Sequence, residues 1–260
     1  MRERIMATIA QLRAALCAKA NQEKAKVLQR FFKTGKGEYG QGDVFLGLTV
    51  PQCRMLTKEY RELSLVDIEK LLRSKIHEER LVALLILVQR YHDSSKTPKR
   101  DSFARPSSFV PQPIVQCYLA NTRYVNNWDL VDLSAPKILG AAIFGDRIAK
   151  STRAEDRGYR TLTRLARSKN LWERRIAMVA TLYLIQHNQF TETLRIARIL
   201  LQDRHDLIHK AVGWMLREVG KRNFNLEEKF VRKHAAVMPR TMLRYAIERW
   251  PDKLRKEVMR

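Results

Sequence analysis

The sequence predicts an all-α protein, a HEAT-like or armadillo-like helical repeat solenoid with a concave basic face. Three observations carry this. Apolar residues recur at i, i+3, i+4 and i+7 in segment after segment, and no stretch alternates strictly as a strand would. The stretch "SKIHEERLVA" from Ser74 returns as "SKNLWERRIA" from Ser168, sharing Ser-Lys, Glu-Arg and the final Ala, and weakly as "DRHDLIHKAV" from Asp203. Such internal similarity is the mark of stacked helical pairs, whose units span roughly 35 to 45 residues. Lastly, cations interleave with apolar positions at helical spacing and form no unbroken block, so the charge belongs to a folded surface and not to a tail.

Length and composition fit one domain over residues 1–260: 45% of the 260 residues are hydrophobic, enough for a sizeable core. Lys and Arg number 50 against 27 Asp and Glu, a net charge of +23 with a pI near 10.3. Residues 144–260 hold 27 cations against 13 acids, and residues 1–143 hold 23 against 14, so both parts are basic. A field of this sign favours polyanions, with nucleic acid as the leading partner class. Cys17, Cys53 and Cys117 are scattered and odd in number, which argues against a disulfide framework or a zinc ribbon and fits a reducing cytosol. The N-terminal stretch is cut by Arg2, Arg4, Arg13 and Lys19, and the longest apolar run, Leu81 to Val88, is far below the ~20 residues of a membrane span, so the protein is expected to be soluble and cytoplasmic.

Along the chain, "GKGEYG" places Gly35, Gly37 and Gly40 as G-x-G-x-x-G, but no strand precedes it and no helix opens at its third glycine, so the dinucleotide reading fails. Helical periodicity is clearest over Leu81–Tyr91, Leu171–Gln186, Leu207–Glu218 and Met242–Trp250. The segment Ser94–Pro113 carries four of the eight prolines and is read as a long loop; its Lys96, Lys99, Arg100 and Arg105 could touch phosphates or simply be solvated.

In "NNWDLVD", Asn126 or Asn127 can cap a helix and Asp129 then lies in its first turn, favourably placed against the helix dipole. Trp128 and Asp132 share a side at i, i+4, and Val131, Ala135, Ile138 and Ala142 mark the core stripe. Pro136 kinks or restarts the helix. Asp132 falls at the stripe's edge, where a surface ion pair and a partly desolvated carboxylate are both open readings.

The wheel of "NLWERRIAMVA" puts Trp172 in the core with Ile176, Val179 and Tyr183, and leaves Arg174 and Arg175 undivided as phosphate contacts. His205 and His209 have chelating i, i+4 spacing, yet no third ligand is evident and Lys210 follows, so no metal is expected. In "HKAVGWMLR", Val212, Met215, Leu216 and Val219 face the core, while Lys210, Trp214 and Arg217 share the opposite face. That suits a helix laid on nucleic acid, or else a tryptophan packed under a neighbouring helix.

"NNWDLVDLSAPKILG", "SKNLWERRIA", "HDLIHKAVGWMLREVGKR" and "MPRTMLRYAIE", in this order and spacing, closely resemble the AlkD-type DNA alkylation repair family, HEAT-like-repeat alkylpurine DNA glycosylases. The likeness runs from Gly35 to about Trp250. It implies base excision repair: hydrolysis of the N-glycosidic bond of cationic N3- or N7-alkylated purines in duplex DNA without a base-flipping pocket. It implies Asp132 as catalyst, Trp128 and Trp214 as DNA-facing tryptophans, and Arg175 and Arg217 as backbone-binding arginines. Lys210 and Arg244, the latter within "MPRTMLRYAIE", join the DNA-binding set. No cofactor, metal, membrane or obligate protein partner is expected, and the protein is expected to act as a monomer. Some relatives bind DNA without excising bases, so a non-catalytic binder of DNA or RNA structures is the alternative, with a protein-binding adaptor a poorer third.

Overall fold

The computed structural model describes residues 7–96, 113–148 and 152–259, and the chain forms two compact units, Met1–Ser134 and Ala135–Arg260. Both are all-α. Among the described residues no strand forms, and Val44 and Ile76 make a single isolated bridge. No helix among them is long and apolar enough to cross a membrane.

The first unit contains α1 (Ile9–Ala18), α2 (Gln22–Phe31), α3 (Val50–Glu59), α4 (Leu65–Leu72), α5 (His77–Lys96), α6 (Pro113–Ala120) and all but the last residue of α7 (Trp128–Ala135). Side-chain caps set the starts: Thr8 and Thr49 form capping boxes with Gln11 and Gln52, and Asn21 and Ser64 accept from the backbone N–H three residues on. Helix α5 is apolar almost all round. Leu81, Val82, Ala83, Leu84, Ile86 and Leu87 are buried, as a helix packed by both α3 and α4 requires. Its first turn anchors what comes before it: Glu79 holds Arg13 of α1 at 3.1 Å. The Glu78 carboxylate accepts from the N–H groups of Leu46, Gly47 and Leu48 at 3.0, 2.8 and 3.2 Å. Gly47 is at φ +88 against the Asn21 carbonyl, so both conformation and space exclude a side chain there. The expected loop Ser94–Pro113 lies largely on residues 97–112, outside the described residues; Ser94–Lys96 belong to α5, and Pro113 opens α6.

The second unit opens with a π-helical turn, Pro136–Gly140, followed by α8 (Ala141–Ile148), α9 (Thr152–Ala166), α10 (Leu171–Gln186), α11 (Thr191–Leu200), α12 (Asp206–Gly220), α13 (Phe224–His234), α14 (Arg240–Ala246) and α15 (Asp252–Met259). The wider turn accommodates a proline that cannot donate, and Gly140 lets it press against the Ala180 carbonyl of α10. Helix α10 matches the sequence reading Leu171–Gln186, and Trp172 is core as expected. The stretch Met242–Trp250 does not form one helix. Helix α14 starts two residues earlier and gives way to a 3-10 turn at Ile247–Arg249, because Pro251 forces Trp250 into extended backbone (ψ 153). Helices α12 and α14 pack closely at Gly213, where a β-carbon would meet Tyr245 and the Met242 carbonyl.

The sequence repeat has a structural counterpart. Ser74, Ser168 and Asp203 each accept the N–H two residues on, at 3.0, 3.0 and 2.9 Å. Six residues after each of them, Arg80, Arg174 and His209 bond back to its carbonyl. The three helix starts are braced alike, by different side chains.

Candidate active site

In the first unit, Asn127 caps α7: it is fully buried, and its Oδ1 accepts from the Trp128 N–H at 2.8 Å. Trp128 is half-buried. It stacks on Phe32 with ring centres 5.3 Å apart and meets Phe31 edge-on at 5.9 Å. Phe32 stacks on Phe45, and Phe45 on His77, at 5.1 and 4.4 Å, so four rings run in sequence from the imidazole to the indole. Gly40, with its N–H on the Lys33 carbonyl and no side chain against the Phe32 carbonyl, lets the "GKGEYG" loop close beneath this stack.

The two aspartates of "NNWDLVD" divide. Asp129 accepts from His77 Nε2 at 2.9 Å, and His77 Nδ1 faces Asp43 Oδ2 at 3.3 Å. Asp43 pairs with Arg80 at 2.7 Å and accepts from Asn126. Burial pushes the His77 pKa down, but the bonds from Asp129 and Asp43 outweigh it, and the net shift is upward. For Asp43 burial pushes upward, and His77 and Arg80 more than reverse it. Asp129 is thus part of a buried charge network as well as a first-turn acid. Asp132, one turn past Trp128, is half-buried. Its charge reaches the buried phenol of Tyr118, whose pKa is raised first by burial and further by Asp132.

In the second unit, Lys210, Trp214 and Arg217 share a face of α12, as the wheel requires, and each is half-buried. Each meets an acid: Lys210 pairs with Asp206 at 2.7 Å, the Trp214 indole N–H donates to Glu218 at 3.1 Å, and Arg217 pairs with Glu248. Arg244, on α14, is exposed and has no ion-pair partner among the described residues. Arg175 is only 5% exposed, and its Nη1 donates to the Leu207 carbonyl at 2.7 Å. Arg174 braces the turn before α10 and pairs with Asp203 at 2.6 Å. His205 caps α12 through Nδ1, and His209 bonds to the Asp203 carbonyl, so both imidazoles are occupied in helix starts.

The network of Asp43, His77, Arg80 and Asp129 and the ring of phenylalanines escaped the sequence reading. His77 and Arg80 stand inside "SKIHEERLVA", whose recurrence was the available signal, but their partners lie 34 to 52 residues away, beyond any periodicity.

Fold and site together define a strongly basic helical-repeat protein in which one helix start presents a tryptophan and, a turn later, a half-buried carboxylate. The chain belongs to the DNA alkylation repair enzyme family, whose model matches residues 12–250 and so spans both units. The fold is that of a predicted DNA alkylation repair enzyme from Enterococcus faecalis, with a TM-score of 0.64 and 20% identity over 90% of this chain and 98% of that one. No curated protein matches the sequence.

Proposed function

We propose that this protein is a DNA glycosylase that hydrolyses the N-glycosidic bond of cationic N3- or N7-alkylated purines in duplex DNA, acting as a monomer in the cytoplasm and without taking the base into a pocket. The observation that carries the reading is Asp132, a half-buried carboxylate one helical turn beyond Trp128, in a chain of net charge +23 that belongs to an alkylation repair family.

The chemistry asks for little. A purine alkylated at N3 or N7 is already a cation and leaves without a general acid, so the usual pair of glycosidase carboxylates reduces to one. As the bond lengthens, positive charge grows on the deoxyribose. Asp132 stabilises it and orients the attacking water. Trp128, held from behind by the Phe32 ring, sets the sugar against that carboxylate. Trp214, Arg217, Lys210 and Arg244 hold the backbone, and Arg175 adds a cation fixed in place by the Leu207 carbonyl. The proposed steps use no metal or cofactor.

The test is release of free alkylpurine from an alkylated duplex panel by wild type beside Asp132→Asn. The variant is expected to lose on the order of 10²- to 10³-fold in rate, as removal of a charge-stabilising group does elsewhere, with DNA affinity kept or improved. Equal rates would remove Asp132 from the mechanism, and tight, salt-steep binding with no base release would make the protein a non-catalytic DNA binder.

A further inference from the structure

The second unit contains a cavity of about 650 Å³ whose walls include Arg217, Arg244, Arg255, Tyr245 and a single acid, Glu248. The three cations are not equally satisfied. Arg217, with its side chain 20% exposed, spends Nη1 on Glu248, and its Nε is buried without an acceptor. Arg244 has no ion-pair partner among the described residues. Arg255 meets only the exposed Asp252, three residues earlier on α15, at 3.3 Å. Guanidinium groups present planar forks of donors that fit carboxylates and phosphates, so the cavity is built for an oxyanion. Its volume exceeds what one small anion needs and admits a sugar-phosphate segment, with the Tyr245 ring available to the sugar.

Glu248 is the resident oxyanion. It sits on the 3-10 turn after α14, and its side chain is 59% exposed, so it can swing into solvent while the backbone stays in place. One carboxylate reaches Arg217 and leaves Arg244 unmatched. A phosphodiester, with two non-bridging oxygens and bulk on either side, can engage both.

We propose that this cavity is a cradle for one backbone phosphate of duplex DNA, completed around Arg217 by Arg244 and Arg255, and that the Glu248 carboxylate occupies it in the free protein and is displaced on binding. The proposal rests on the reading that the chain acts on DNA. It adds an internal competitor that sets affinity, and a third arginine.

The experiment is a titration of labelled, undamaged duplex by fluorescence anisotropy across a salt series, on full-length variants checked for intact melting. Glu248→Gln is expected to bind about five- to tenfold tighter than wild type. Glu228→Gln, which makes the same charge change outside the cavity, should bind less than about twofold tighter. Arg244→Ala and Arg255→Ala should each weaken binding and flatten the log–log salt slope by about one. The cradle is overturned if Glu248→Gln gains no more than Glu228→Gln, or if both arginine variants keep the wild-type slope. Inorganic phosphate, titrated at constant ionic strength, is expected to compete no better than chloride; competition that disappears in Arg244→Ala would give the cavity to free phosphate instead of DNA. Base release keeps this separate from the glycosylase reading. A protein that binds as described but frees no alkylpurine loses its catalyst and keeps its cradle, and the reverse result loses only the cradle.

Discussion

Asp129 and Asp132 stand three residues apart on α7; Asp129 is tied to a buried histidine, and Asp132 is half-buried one turn past Trp128. The i, i+4 spacing of Trp128 and Asp132 was legible in the sequence because it is local. The bond from His77 to Asp129 spans 52 residues and was not. Its consequence is a pH dependence. The folded-state pKa of His77 lies above its unfolded value near 6.5, so its contribution is full below that pH and fades as pH rises through the folded value. Thermal melts are expected to fall with rising pH above about 6.5. His77→Gln should make that fall shallower and cost about 3 kcal/mol at pH 6, because it strips the buried aspartates of a partner. Glu227 acts in the same direction for a different reason. Burial pushes its carboxyl up to about 7, against the pull of the Trp250 indole N–H and Arg217. The folded state therefore holds a proton that the unfolded chain has released between about 4.5 and 7, and stability falls with pH across that window. Glu227→Gln, still able to accept from Trp250, should match wild type near pH 4.5 and exceed it by roughly 2–3 kcal/mol at pH 8, as denaturant titrations would show.

At the level of the element, α7 depends on a side-chain cap at one end and a stack of rings beside it. Phe32 is 8% exposed and lies between Phe45 and Trp128. Phe32→Ala should cost about 3 kcal/mol in stability and should also lower base release beyond what unfolding explains, because Trp128 loses the face that orients it. Phe32→Leu should restore most of the stability but not the orientation, and kcat measured well below the melting point distinguishes the two. The packing of α12 on α14 is as exacting: Gly213→Ala sets a methyl against Tyr245 and the Met242 carbonyl and should destabilise by about 1–3 kcal/mol. Periodicity found α12 and the Met242–Ala246 part of α14, because their apolar stripes repeat, but ran past the end of α14. It could not find that they meet at a glycine, nor that Pro136 is absorbed by a π-helical turn, since both are set by what packs opposite.

On the scale of the whole molecule, a net charge of +23 predicts binding governed by counterion release. Affinity for undamaged duplex should drop by about 10³-fold or more between 50 and 200 mM salt if some six phosphates are neutralised, and a shallow salt slope in anisotropy titrations would contradict a role for this charge in holding DNA. The all-α repeat architecture was readable because recurring helix starts leave a recurring signature in the chain. The charge network and the cation-lined cavity each join residues from several elements, and pairing across elements leaves no periodic trace in the chain. The recurring starts carry a consequence for how the protein comes into being. Each brace, at Arg80, Arg174 and His209, closes over six residues, so its loss of chain entropy is small. A brace this local lowers the entropy cost of starting each such helix, whatever distant partner it later packs against. A gene that duplicated or dropped one of these segments would transmit, within the same few codons, the instructions for starting it.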